Sequence, residues 1–135
     1  MIKITDDLKT GIETIDSQHL ELVEAVNKLS SLGENAKNPT VLTETLDFLE
    51  NYIKMHFEQE GDLMEECKYN ATGLHKNQHA LFIDKFEDYK ESFEEEGYND
   101  DLFHALNHFL ETWIVNHIKV SDLAFANFYH SRTTP

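Results

Sequence analysis

Cysteine is nearly absent from this sequence: Cys67 is the only one in 135 residues. An internal disulfide is therefore impossible, so packing must hold the core, and a reducing compartment is the expectation. Proline is almost as scarce, with two residues, and glycine numbers five. So few chain breakers leave room for long uninterrupted elements. Positive charge is short as well: 11 Lys and Arg stand against 26 Asp and Glu, a formal charge of −15. A surface of that sign repels nucleic acid and anionic membranes, and neither is an expected partner. No apolar run is long enough to span a bilayer. The opening MIKITDDLKTGI has no basic segment leading into an apolar one, so no signal peptide is expected and a cytoplasmic location is the default. There is no Asn-Gly hairpin signal and no lasting alternation with period two, which argues against a sheet.

What is present is helical periodicity. The stretches LGENAKNP, KYNATG and EEEGYND read as breaks, and four long segments lie between them. Asn38 before Pro39 is a cap followed by proline at the first helical position. Thr72, Asp100 and either Asp16 or Ser17 are candidate caps for the other helices. In the second segment Leu42, Leu46, Leu49, Ile53, His56, Glu60, Leu63 and Cys67 recur at alternating steps of four and three. His75, His79, Phe82, Phe86, Tyr89 and Phe93 do so in the third, and Phe103, Leu106, Leu110, Trp113, His117 and Val120 in the fourth. His19, Val23, Val26 and Ser30 form a weaker first seam. Such seams define an all-α, antiparallel up-down-up-down four-helix bundle. The expected organisation is one domain, 1–135, with an arm over 1–16 and helices over 17–36, 39–67, 72–96 and 100–128.

A bundle seam should be apolar, yet His19, His56, Glu60, His75, His79 and His117 occupy it. Burying such groups without partners costs several kcal/mol each. A lone buried histidine is ordinarily a satisfied core residue, but six polar groups need a shared explanation. In an antiparallel pair, residues equidistant from the connecting loop lie level. That rule pairs His56 with His79 and Glu60 with His75, sets His19 level with His56, and puts His117 between His75 and His79. All six fall in one layer, as the ligands of a metal site do. The look-alike pair His104 and His108 fails the test. His108 is nine positions from His117, about half a turn away at ~100° per residue, so the pair points to solvent or a flank. His130 is read as an ordinary surface residue, Cys67 as a core thiol, and Trp113 as a packing residue.

Five histidines and a glutamate exceed the four ligands of a structural zinc, so two metals are the natural count. Two adjacent cations call for a second bridging carboxylate, and Asp122 in HIKVSD is the candidate. Its spacing of five from His117 turns about 140° on an ideal helix. A local π-turn would bring it round, and such turns recur at functional sites.

The ordered set, together with GIETIDSQH, HFEQE and WIVNHI, resembles the single-domain bacterial members of the hemerythrin family over nearly the whole chain. The resemblance implies a non-heme di-iron centre. His75, His79 and His117 would hold one iron, and His19 and His56 the other. Glu60 and Asp122 would bridge them beside an oxo or hydroxo bridge. Dioxygen would bind reversibly at the open position of the second iron, for storage, transport or delivery. A sensor of oxygen or redox state and a di-iron oxidoreductase acting on peroxide or nitric oxide are the alternatives. The Glu-x-x-His repeats expected of a ferritin-type oxidase are absent, so a binding protein rather than an enzyme is expected. Ile15, Leu22, Val23, Phe57, Trp113 and Ile114 lie near enough in sequence to line the oxygen pocket. Two positions depart from the family pattern: Thr5, where an arm tryptophan is frequent, and Gly61, where a second glutamate is common.

Overall fold

The computed structural model describes residues 1–133; residues 134–135 of the expected domain lie outside the described residues. The helices are α1 (Glu13–Ser30), α2 (Pro39–Glu66), α3 (Thr72–Glu96), α4 (Asp100–His117) and α5 (Leu123–Thr133), with a π-helical turn, Ile118–Asp122, between α4 and α5. Ile118 and Leu123 keep right-handed helical dihedrals, so α4, the π-turn and α5 make one continuous fourth rod. The rods touch in the cycle α1–α2–α3–α4–α1. This is the antiparallel four-helix bundle that the four seams require.

Local chemistry explains most helix ends. The Asn38 carboxamide accepts from Thr40 N at 3.0 Å and Val41 N at 3.2 Å, with Pro39 following it. The other expected caps are corrected. Asn99 caps α4, accepting from Leu102 N at 3.0 Å; its backbone is extended, whereas Asp100 is already helical. Thr72 lies inside α3, where its hydroxyl donates to Tyr69 O at 2.6 Å. The first helix runs over 13–30, not 17–36. It begins early because Ile12 and Ile15 are buried, and because Asp16 ties down the chain ahead of it. The Asp16 carboxylate accepts from Thr10 N at 2.8 Å, Thr10 Oγ1 at 2.7 Å and Gly11 N at 3.0 Å. It ends early because the chain tightens into a 3-10 helix, Gly33–Lys37, entered through Gly33 at φ +56°.

The N-terminal arm, with a short 3-10 helix at Asp6–Leu8, lies along this bundle. Ile2 and Leu8 are buried, and the Asn27 carboxamide clamps Ile2 by accepting from its N and donating to its O, both at 2.9 Å. His130 is not a plain surface residue. It is half-buried and its Nε2–H donates to Thr10 O at 2.7 Å, which pins the arm to α5. Gly11 makes this approach possible: its φ is +77°, and a Cβ there would stand 2.9 Å from His130 Nε2.

Two apolar clusters fill the interior. The larger includes Leu22, Ile53, Phe57, Phe82 and Ile114; the smaller comprises Ile12, Ile15, Met64, Phe125 and Ala126. Along α1, His19 falls between Ile15 of one and Leu22 of the other. Along α2, His56 and Glu60 fall between Ile53 and Met64. A polar layer is thus sandwiched between two dry ones. Cys67 is only partly buried, packed against the smaller cluster at the C-cap of α2, rather than being a core thiol. Val120 leaves the seam it was expected to continue and is 69% exposed, because the π-turn shifts the register.

Gly61 is buried in mid-α2, and a Cβ there would meet Lys76 Cε at 2.9 Å. The obstacle is the end of a flexible, half-buried side chain whose ammonium pairs with Glu65 at the surface, and it can swing away. Gly61→Ala is therefore expected to stabilise the protein by about 0.5–1 kcal/mol through helix propensity. A lower melting temperature in thermal unfolding would show that the Lys76 stem cannot move.

Candidate metal centre

Seven side chains from the four rods meet in the polar layer. All are buried: His19, His56, Glu60, His75, His79, His117 and Asp122. They form two groups that share both carboxylates. One contains Glu60, His75, His79, His117 and Asp122; the other contains His19, His56, Glu60 and Asp122. Within each group the donor atoms lie within 4.8 Å of one another.

The carboxylates divide their oxygens between the groups. Glu60 Oε1 lies 2.7 Å from His75 Nε2 and 3.4 Å from His79 Nε2, while Oε2 lies 3.3 Å from His56 Nε2 and 3.8 Å from His19 Nε2. Asp122 Oδ1 lies 3.0 Å from His75 Nε2 and 3.2 Å from His117 Nε2, and Oδ2 lies 3.0 Å from His19 Nε2. The π-turn does what the spacing of five required: it rolls Asp122 into the layer beside His117.

These residues fit metal ions. Seven of the eight buried side-chain nitrogen and oxygen atoms that make no well-aligned hydrogen bond among the described residues belong to this cluster, close as several of them are to one another; Asn107 Oδ1 is the other. So many orphaned groups in one dry layer are costly unless cations satisfy them. His79 Nε2 and His117 Nε2 face each other at 3.0 Å, within hydrogen-bond distance when one ring carries its proton there, and both are close enough to serve one cation. Neighbouring ligands at ~2.1 Å from a first-row ion stand about 3 Å apart at right angles, close to the separations above. Five donors on one side and four on the other exceed one tetrahedral zinc and suit a pair of ions bridged by both carboxylates.

Electrostatics agrees. Burial and the Asp122 charge push the Glu60 carboxyl upward, but contacts with His56, His75 and His79 hold it below its usual range. Burial likewise opposes ionisation of Asp122, and His117, His19 and His75 overcome it. Burial alone lowers His75, yet Asp122 and Glu60 raise it to about 9. His19 is raised in the same way by Asp122. His79, where burial prevails over Glu60 and is reinforced by His117 and His75, is lowered. The layer holds two anions and draws positive charge to them.

Packing sets the rings. Phe57 stacks on His79 with centroids 3.8 Å apart and planes within 1°, and Trp113 stacks on His117 at 4.3 Å and 13°. A residue missed by sequence reasoning fixes another ring. His56 Nδ1–H donates to Gln18 Oε1 at 2.7 Å, which turns Nε2 toward the cluster. Gln18 in turn donates to Gln59. The only signal for Gln18 was its place immediately before His19. A small cavity of about 10 Å³ touches the two-histidine side. Besides His19, His56, His117 and Asp122, it is lined by Leu22, Phe57, Trp113, Ile114 and Ile118. Ile118 was not anticipated, while Ile15 and Val23 pack elsewhere, in the two cores. His104 and His108 are exposed and outside the cluster.

Fold and site together define a four-helix protein with a buried histidine–carboxylate centre of the kind that holds non-heme iron. The sequence model of the family described as Hemerythrin HHE cation binding domain matches residues 10–128, and the chain belongs to the hemerythrin family. It is 34% identical over 122 residues to the bacteriohemerythrin of Pseudomonas aeruginosa, covering 90% of this chain and 77% of that one. It is 31% identical over 121 residues to the bacteriohemerythrin of Clostridium acetobutylicum, covering 87% and 92%. A crystal structure of wild-type hemerythrin superposes with a TM-score of 0.81 at 26% identity, covering 94% of this chain and 95% of that one. No helix among the described residues is long and apolar enough to cross a membrane.

Proposed function

We propose that this chain, as one domain, binds dioxygen reversibly at a di-iron centre. His75, His79 and His117 would hold one ion, His19 and His56 the other, and Glu60 and Asp122 would bridge them beside an oxo or hydroxo group. The observation that carries the reading is the division of both carboxylates between a three-histidine and a two-histidine group. When bound, two ferrous ions supply the electrons and the open coordination position that dioxygen needs. The chain does the rest. Two carboxylates offset much of the metal charge, so the pair can sit in a dry layer. Gln18 holds His56 with Nε2 inward. Leu22, Phe57, Ile114 and Ile118 keep water from the side with fewer ligands, where the cavity lies.

The same lining favours binding over catalysis. Among the described residues no hydroxyl, lysine or further carboxylate lines that cavity beyond Asp122. The chain therefore brings no separate proton donor to help split an O–O bond. The decisive experiment mixes the reduced, iron-loaded protein with oxygen in a stopped-flow spectrometer. A stable spectrum that reverses on deoxygenation is expected. Rapid irreversible oxidation, with turnover under reductant, would instead make it an oxidoreductase.

Gln18 supplies a second measurement. Gln18→Leu is expected to lower iron affinity about 10–100-fold, as loss of an outer-shell partner does, with the helical circular dichroism unchanged. Competition with a chelator measures it, and unaltered affinity would remove Gln18 from the site.

A further inference from the structure

The chain carries 26 acidic residues, yet among the described residues Lys85 is the only formally charged side chain lining a groove of about 610 Å³ between α3 and α4. Its size is that of a small-molecule site. Tyr89, Phe109 and Trp113 supply aromatic surface, and His108 lines it as well. The Lys85 ammonium stands 5.3 Å from the centre of the Phe109 ring. Among the described residues it has no salt-bridge partner within 4 Å, unlike Lys54 and Lys90, which pair with carboxylates across the α2–α3 face. Asp84 and Asp88 line an adjoining depression that shares Lys85 and Tyr89, not this groove.

The geometry points to a binding site here for a planar aromatic anion, its ring against Phe109 and Trp113 and its negative group on Lys85 and His108. Charge selects the ligand. On so acidic a protein an aromatic cation would be drawn to almost any other face, whereas the lining of this groove carries the Lys85 ammonium and no carboxylate. Aromatic stacking adds to what buried area alone contributes, and a hydrogen bond to a charged group is stronger than a neutral one. His108, half of a histidine pair on the wrong face for the metal layer, thereby gains a role. Trp113 and His117 line both this groove and the small cavity beside the metal layer, so the ligand would rest one layer of side chains from that layer. The site is independent of the oxygen reading, since nothing in its chemistry requires the metal.

Isothermal titration calorimetry of the iron-loaded full chain with 2-naphthoate tests it. Saturable binding is expected, weakened about tenfold by Lys85→Gln and abolished by Ala105→Phe, which fills the groove from an exposed position on α4. Both variants should keep the parent's iron content, which shows that they fold. The cation 2-naphthylmethylammonium should bind at least tenfold more weakly. Absence of saturable heat with 2-naphthoate, equal binding of the cation, or an affinity indifferent to either substitution would overturn the assignment.

Discussion

Asp122→Ala is expected to reduce bound iron from about two ions per chain to one or none. Asp122 Oδ1 stands with His75 and His117, and Oδ2 with His19, so its loss removes a donor from both groups at once. Charge amplifies the effect: two divalent ions in a dry layer would face the single carboxylate of Glu60. Outer-shell substitutions cost about 10–100-fold in metal affinity, and loss of a bridging ligand should exceed that. Elemental analysis after anaerobic reconstitution and desalting gives the count. Asp122→Asn, which keeps the shape and removes the charge, guards against a folding artefact. Val120→Ala is the control, because Val120 shares the π-turn but is 69% exposed. If Asp122→Asn retained two ions with unchanged affinity, the bridging role would be wrong.

Metal removal is the second large effect. Cations that bind only the folded chain stabilise it by mass action, so chelated protein should melt at a clearly lower temperature. Its stability should also become sensitive to alkaline pH. His75 is raised from 6.5 to about 9 by Asp122 and Glu60 against the effect of burial. A histidine raised on folding stabilises the protein below its unfolded value and loses that contribution as pH rises through the folded value. Metal-free protein should therefore weaken between about pH 6.5 and 9, by on the order of 2 kcal/mol, with His19 adding in the same sense. His79, lowered on folding, acts oppositely, but only up to about its ordinary value. Iron-loaded protein should show no such slope, because the imidazoles are then ligands and stay neutral. Urea titrations of both forms at pH 6.5 and 9 measure it. A metal-free protein equally stable at both values would contradict the charge arrangement.

Much of this was legible in the chain. Seams of four and three placed four rods, and Asn38–Pro39 marked the start of α2 to the residue. His19, His56, Glu60, His75, His79 and His117 stood out because they broke an apolar pattern, and loop midpoints brought them level. Helix ends were less legible. Asp16 has the chemistry of a cap, but it is spent on Thr10 and Gly11, a contact that depends on where the arm lies. Val120 fitted the seam until the π-turn changed its register.

The sequence by itself determined that four helices would bury a layer of histidines and a glutamate, because helical periodicity is a property of the chain and unpartnered polar groups in a seam are intolerable in any packing. Only the tertiary structure decided the rest. It turned Asp122 inward through a π-turn, whose extra residue costs backbone regularity that packing must repay. It chose Gln18 to orient His56 and placed Ile118 beside the small cavity. A helix fixes only which residues share a face. Which atoms meet across faces depends on rotations and register shifts of a few ångströms, which are set by the whole bundle at once.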